Sequence, residues 1–337
     1  MTEPTDNAGW SAVESALEQV YGDQTPKHWG SAGEWRFGGD VPLRGISAYW
    51  NGEAPLPHWH FVTFGLTELF GKMSADAVRS GYGFELTLRV AAEEGDAPPP
   101  WAIGLLQNLA GYILETGHPF SEGHAFNLQG PLTDSPPTAL TGLVFTADPQ
   151  LPAITSPNGR LSFLQAVALT EDERGAAKAW NTRGILELLA EGNPLWVTEL
   201  SRESLLSDPA ALQRIDAGAA RDGSNMAALM VPGLRWTSAP FGGEVTLELP
   251  AAVIEDFRRL LAGRLAHGRP LSLAAPDQAS DEQVRLVSAE RAGVGEENGL
   301  LTISLTPALV ETLRKALAPS PGVHRLQGLE GLTVRVR

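Results

Sequence analysis

Phe84-Glu85-Leu86-Thr87-Leu88-Arg89-Val90 alternates apolar and polar side chains without a break. A strand sends successive side chains to opposite faces, so this period of two predicts a half-buried strand. Phe84, Leu86, Leu88 and Val90 face a core, and Glu85, Thr87 and Arg89 face water. Upstream, Ile46 to Trp50 and Trp59 to Phe64 are rich in aromatic and branched residues and read as strands. Ahead of them, Trp10, Val13, Leu17 and Val20 fall at helical spacing between Gly9 and Tyr21. Downstream, Pro100 suits the first position of a helix, and Trp101 to Glu115 follows with a broad apolar face. Leu140 to Thr146, Leu161 to Leu169 and Leu195 to Leu200 read as strands, Trp180 to Ala190 and Ala210 to Asp216 as helices. Strands and helices mix without strict β-α-β alternation, which predicts an α+β fold with mixed sheets.

The chain has 337 residues, enough for two domains. Its charge divides it. Residues 1–225 hold 13 Lys+Arg against 28 Asp+Glu, and residues 226–337 hold 12 of each. Pro232-Gly233, Pro240 and Gly242-Gly243 are turn formers without periodicity. The reading is therefore an amino-terminal domain over 1–225, a Gly/Pro-rich seam over 226–242 and a smaller carboxy-terminal domain over 243–337. In that second part Val245 to Leu249 reads as a strand and Pro250 opens a helix. Strands follow near 271–275, 283–290 and 300–305. Thr306-Pro307 caps a helix, and Leu332 to Val336 closes the sheet.

There is no cysteine, which excludes disulfides, zinc-thiolate sites and cysteine nucleophiles. The formal net charge of −15 argues against a nucleic-acid partner. No window approaches a membrane span, and Met1 to Ala8 reads as a loose polar tail rather than a signal peptide. No Gly-x-Ser-x-Gly elbow or phosphate loop occurs. Gly81-Tyr82-Gly83 precedes a strand rather than following one, so it reads as a turn that lets the backbone pass close to a neighbour. His58-Trp59-His60 places two imidazoles on one strand face, where a metal could sit if Glu68, His118 or His124 came within reach. That is the basis of an alternative reading, a metal-dependent hydrolase using His58 and His60. Two histidines are two ligands short of a closed site, however, and the plainer reading is structural: one imidazole hydrogen-bonded inside the fold, the other partly exposed. No metal or other cofactor is assigned.

Several blocks together resemble the Suppressor of fused family. They are Pro57-His58-Trp59-His60-Phe61-Val62-Thr63-Phe64-Gly65-Leu66-Thr67-Glu68-Leu69-Phe70, Ser80 to Arg89, Pro99-Pro100-Trp101 with Leu106 to Ala110 and Tyr112, Leu161 to Gln165, Trp180-Asn181, Gly184 to Leu189 and Asp222-Gly223-Ser224-Asn225. Gly263-Arg264-Leu265-Ala266-His267-Gly268-Arg269 matches in the second part. The resemblance runs over nearly the whole chain from about Ser11.

The resemblance implies a cytoplasmic, non-enzymatic binding protein. Animal members regulate Hedgehog signalling by clamping an extended peptide of a zinc-finger transcription factor between two domains. That is strand addition, in which backbone hydrogen bonds supply affinity and pockets set register. Carried over by position, Tyr112, Phe120, Glu122, Gly123 and His124 meet the partner in the first domain, and His267 does so in the second. Gly123 is followed by His124 where animal members have an acidic residue, and the second part lacks their long polar insertion. Both departures point away from the animal partner. The short, cysteine-free chain looks bacterial, and there the resemblance implies an immunity protein that neutralises a toxin domain. An acidic first domain suits encounter with a basic toxin.

Overall fold

A computed structural model describes residues 7–30, 43–239, 243–275 and 283–337. Contacts group the chain into two units, one of Met1–Arg174 with Leu186–Leu205, the other of Gly175–Ile185 with Leu206–Arg337.

The first unit is built on one eight-stranded sheet. Helix α1 (Ala8–Tyr21) precedes strands β1 (Lys27–Gly30), β2 (Gly45–Asn51), β3 (His58–Phe64) and β4 (Arg79–Ala91). Helix α2 (Pro100–Thr116) is followed by β5 (Ala125–Asn127), β6 (Leu140–Ala147), β7 (Ile154–Ser156) and β8 (Gly159–Thr170). The order is β1-β2-β3-β4-β8-β6-β5, with β7 on β8. Among the described strands of this sheet only β4 and β8 pair in parallel, and the whole α2–β7 segment intervenes between them. Helix α2 covers one face of the sheet. Pro100 starts it, Gly117 ends it in the left-handed region at φ 69°, and Leu105, Leu106, Leu109 and Ile113 join Phe61, Leu86 and Leu88 in a core. On the other face Val13 and Leu17 of α1 pack on Tyr49, Val62, Phe64 and Phe163.

Two helices on opposite faces explain the main departure from the sequence reading. Strand β4 is not half-buried: Glu85, Thr87 and Arg89 are as inaccessible as the leucines between them. Alternation correctly separates the two faces, but both are covered. Gly81 to Gly83 is not a turn ahead of the strand: it lies inside β4, where the register with β8 shifts between Arg79 and Phe84, and only the close backbone approach is as expected. Gly81 has φ +53°, and a Cβ there would lie 2.6 Å from the Leu66 carbonyl oxygen. Leu195 to Leu200 is not a strand. It holds a single bridge from Thr198 to Val90, and the Asn193 amide brackets it at both the amide and the carbonyl of Val197.

Helices α3 (Glu171–Ala179) and α4 (Thr182–Gly192) span the positions where the chain passes between units. The second unit continues with α5 (Pro209–Asp222), β9 (Ala228–Met230), β10 (Arg235–Ser238), β11 (Val245–Leu249) and α6 (Ile254–Leu260). Then come β12 (Leu271–Ala274), β13 (Val284–Ser288), β14 (Gly293–Glu297), β15 (Leu300–Leu305), α7 (Pro307–Ala316), β16 (Gly322–Arg325) and β17 (Leu332–Val336). They form a five-stranded sheet, β14-β15-β13-β12-β9, and a four-stranded one, β10-β11-β17-β16. One core joins both to α6 and α7 through Phe257, Leu260, Leu273, Ile303, Leu313 and Val334. Leu332 to Val336 therefore runs inside a second sheet rather than closing a single one. Thr306 caps α7 as expected, accepting from the Leu309 amide.

The mixed α+β class stands. The structure draws the boundary elsewhere than 225, because α5 belongs with the second unit. The Trp180 indole donates to Asp222 at 2.9 Å, and the Ser224 amide donates to the Gly263 carbonyl at 2.7 Å. The 226–242 seam carries β9 and β10; Pro240 and Gly242, and Met1 to Asp6 of the tail, lie outside the described residues. Among the described residues no helix is long and apolar enough to cross a membrane.

Candidate partner-binding site

Five of the six residues singled out for a partner converge at one end of the large sheet. Helix α2 delivers Tyr112 on its last turns, 37% exposed. The chain then returns through Phe120 and the turn Ser121–His124 into β5. The turn hangs on β6: the Gly123 amide donates to the Phe145 carbonyl at 2.8 Å, and the Phe145 amide donates to the His124 carbonyl at 3.0 Å. Gly123 takes φ +84°, which a glycine tolerates without strain. His124 turns back on Ser121, ring nitrogen to hydroxyl at 3.0 Å. Glu122, Gly123 and His124 are all exposed.

Phe120 is different. It is buried, stacked 4.1 Å from the fully buried Phe145 ring and 5.5 Å from the Tyr112 ring, with Phe126 edge-on to both Phe120 and Tyr112. Four rings thus form a column from core to surface, and Phe120 supports Tyr112 rather than offering itself. Phe126 and Phe145 complete the column, and no sequence signal marked them.

Strand β5 ends the sheet. The Leu128 amide donates to Thr141, so residues 126 and 128 direct their main-chain groups at β6. Ala125 and Asn127 alternate with them and direct theirs outward. Glu122 also lines a pocket of about 430 Å³ with Arg79, Arg160, Ser162 and Asp148. His267 lies in the second unit, lining a separate cavity beside Arg258 and Gly263.

The paired histidines serve a different purpose. Both are fully buried, so neither is partly exposed. His60 Nδ1 meets the Tyr21 hydroxyl at 2.7 Å and its Nε2 meets Asp148 at 3.1 Å. Asp148 also accepts from Thr87 at 2.7 Å and, bidentate, from Arg89 at 2.8 and 2.9 Å. Arg89 reaches on to Gln150 and Gln165. Burial opposes charge on Asp148, but His60 and Arg89 hold its carboxyl far below the usual range. Burial, reinforced by Arg89, pushes His60 down to about 4. His58 gives Nδ1–H to the Leu56 carbonyl at 2.7 Å, and burial pushes it down to about 4 as well. Glu68 is committed too, accepting from Lys72 at 2.7 Å, from the amides of Met73 and Gly81, and from Ser74. Among the described residues no group of three His, Asp or Glu could hold a metal ion. Glu85 is likewise structural: two threonine hydroxyls and three backbone amides of the Gly65–Thr67 turn surround it.

What fold and site define is a two-unit α+β protein with an exposed sheet edge and an ordered turn beside it. The sequence model of the family "Suppressor of fused protein (SUFU)" matches residues 39–203. The human and mouse Suppressor of fused homologs are each 34% identical over 235 residues, 65% of this chain and 48% of theirs. The matched stretch therefore spans about half the length of these relatives. Crystallographically, a chain of the Sufu–Fu complex is 32% identical with a TM-score of 0.57, over 62% of this chain and 98% of that one. Drosophila Suppressor of Fused has the same fold, with a TM-score of 0.77 at 22% identity over 99% of this chain and 98% of that one. The chain belongs to the Suppressor of fused family.

Proposed function

We propose that this chain is a non-enzymatic binding protein that holds an extended protein segment by strand addition at β5. The observation that carries this reading is the outward-facing main chain of Ala125 and Asn127, beside a turn pinned to Phe145 and a Tyr112 ring supported from below. An edge held rigid before binding loses little entropy when a strand is added. The Sufu–Fu complex, in which a relative is bound to another protein, supports a protein ligand. The clamp reading adds a contribution from the second unit, where β9 ends its own sheet and Met230 is 50% exposed. We extend the proposal to a toxin-neutralising immunity protein acting in the cytoplasm, supported by the acidity of residues 1–225.

The test is capture of partners from the native host, read by mass spectrometry, with wild type and two variants. Ala125→Pro removes an outward amide without touching the β6 ladder. Tyr112→Ala removes the exposed ring. Both are expected to lose the partner while keeping the wild-type circular dichroism spectrum. Retention by Ala125→Pro refutes strand addition. For the immunity role, co-expression with a toxin domain encoded beside this gene should restore growth; continued killing refutes it.

A further inference from the structure

The second unit contains a cavity of about 370 Å³, of whose lining the binding reading names only His267. Arg258 and Arg259 of α6 and Arg314 of α7 line it, together with Glu255 and His267. Ala219, Ala220 and Gly263 line it too and present nothing beyond a Cβ, so the space stays open.

The charges around it do not balance. Arg258 pairs with Glu255 at 2.9 Å. Arg259 stands 3.6 Å from Asp256, which Lys178 also claims. Arg314 and Lys315 share Glu311 at 2.8 and 3.2 Å. Five cations thus share three carboxylates, in a chain whose formal net charge is −15. The guanidiniums also keep donors in reserve. Arg258 spends Nε on the Arg314 carbonyl and Nη1 on Glu255, which leaves Nη2. Arg314 spends Nε and Nη2 on Glu311, which leaves Nη1. The Arg259 guanidinium makes no hydrogen bond among the described residues, its nearest carboxylate being Asp256 at 3.6 Å.

We propose that this cavity binds a small phosphate monoester. Planar guanidinium forks match the oxygens of a phosphoryl group, and a dianion offsets the surplus of two positive charges. A single carboxylate would offset half of it. The volume is at the lower end for ligand sites, which suits a phosphoryl group on a short organic stem.

Isothermal titration of the full chain with phosphoserine, serine and inorganic phosphate tests the assignment. Phosphoserine should bind, more weakly as salt rises, and serine should give no heat. Arg259→Gln should weaken phosphoserine by about tenfold or more. Ala220→Glu should do the same by placing a carboxylate at an exposed position of the lining while every arginine remains. Thermal unfolding without ligand controls for folding, and if Arg259→Gln unfolds, Ala220→Glu decides. No phosphoserine heat in wild type, or unchanged affinity in Ala220→Glu, overturns the site. Equal affinity for inorganic phosphate overturns the monoester in favour of the free ion. The readout is independent of β5, because Ala125→Pro should bind phosphoserine as wild type does.

Discussion

His58 and His60 are neutral in the folded chain because burial holds both near pKa 4. In the unfolded chain each takes up a proton near the ordinary value of about 6.5. Below that value the unfolded state binds more protons, so stability falls as pH drops from about 6.5 toward 4 and the loss then levels off. At about pH 5 each histidine should cost the fold roughly 2 kcal/mol relative to pH 7, read as a shift in urea midpoint; His60→Gln should flatten the profile. Arg89→Met should cost about 3–5 kcal/mol by leaving the Asp148 carboxylate buried without its guanidinium. A variant as stable as wild type would show that the pair carries no such weight. These roles were legible only in part: the structural reading of the histidines stands, but one was expected partly exposed and Arg89 was expected to face water, and all three are buried. Period two put Arg89 on the polar face, but a polar face turned to water and one sealed over a charge network share the same alternation. What distinguishes them is α1, packed on that face from far away in the chain.

At the scale of elements, the aromatic column ties α2 to β5 and β6. Phe120→Ala should destabilise by about 3–5 kcal/mol, since its ring is stacked on Phe145. Tyr112→Ala should cost well under half of that and act mainly on binding. Helix α5 offers a sharper case. A glycine inside a helix is worse than alanine by about 1 kcal/mol, so propensity alone predicts that Gly218→Ala stabilises. Here a Cβ at Gly218 would come within 2.4 Å of the Trp180 ring, and one at Gly184 within 2.3 Å. Steric conflict should win, and Gly218→Ala should lower the urea midpoint; a rise would mean that the indole swings aside freely. Most elements were readable from periodicity and caps: α2 from Pro100, α7 from Thr306-Pro307, β3 and β8 from their apolar runs. One failure has a local cause. Leu195 to Leu200 has strand-like residues, but Asn193 and Gln165 take the main-chain groups that a ladder would use.

For the whole molecule, the two units are interleaved in sequence, which no composition shift could announce. The charge break at 225 and the contact boundary near 205 differ by the segment 206–225, which carries α5. Fragments discriminate between them. A chain ending at Leu205 keeps Trp180 but loses Gly218 and Asp222, its neighbours, and should aggregate on size-exclusion chromatography. A chain ending at Asn225 keeps both but strips α5 of Gly263 and the rest of the second unit, so it should aggregate as well; a monodisperse 1–225 fragment would place α5 with the first unit instead. The family and the turn at Ser121–His124 were legible because they rest on ordered local blocks. The Arg89–Asp148 pair was not, because its members stand 59 residues apart. That separation has a consequence during synthesis. While the ribosome is still translating the segment before Asp148, the guanidinium has no carboxylate to meet, and β4 must wait for β8, its parallel neighbour, before its ladder is complete. Until about residue 170 has left the exit tunnel, the nascent chain presents an unfinished strand edge, and it is in that interval that a chaperone would find it.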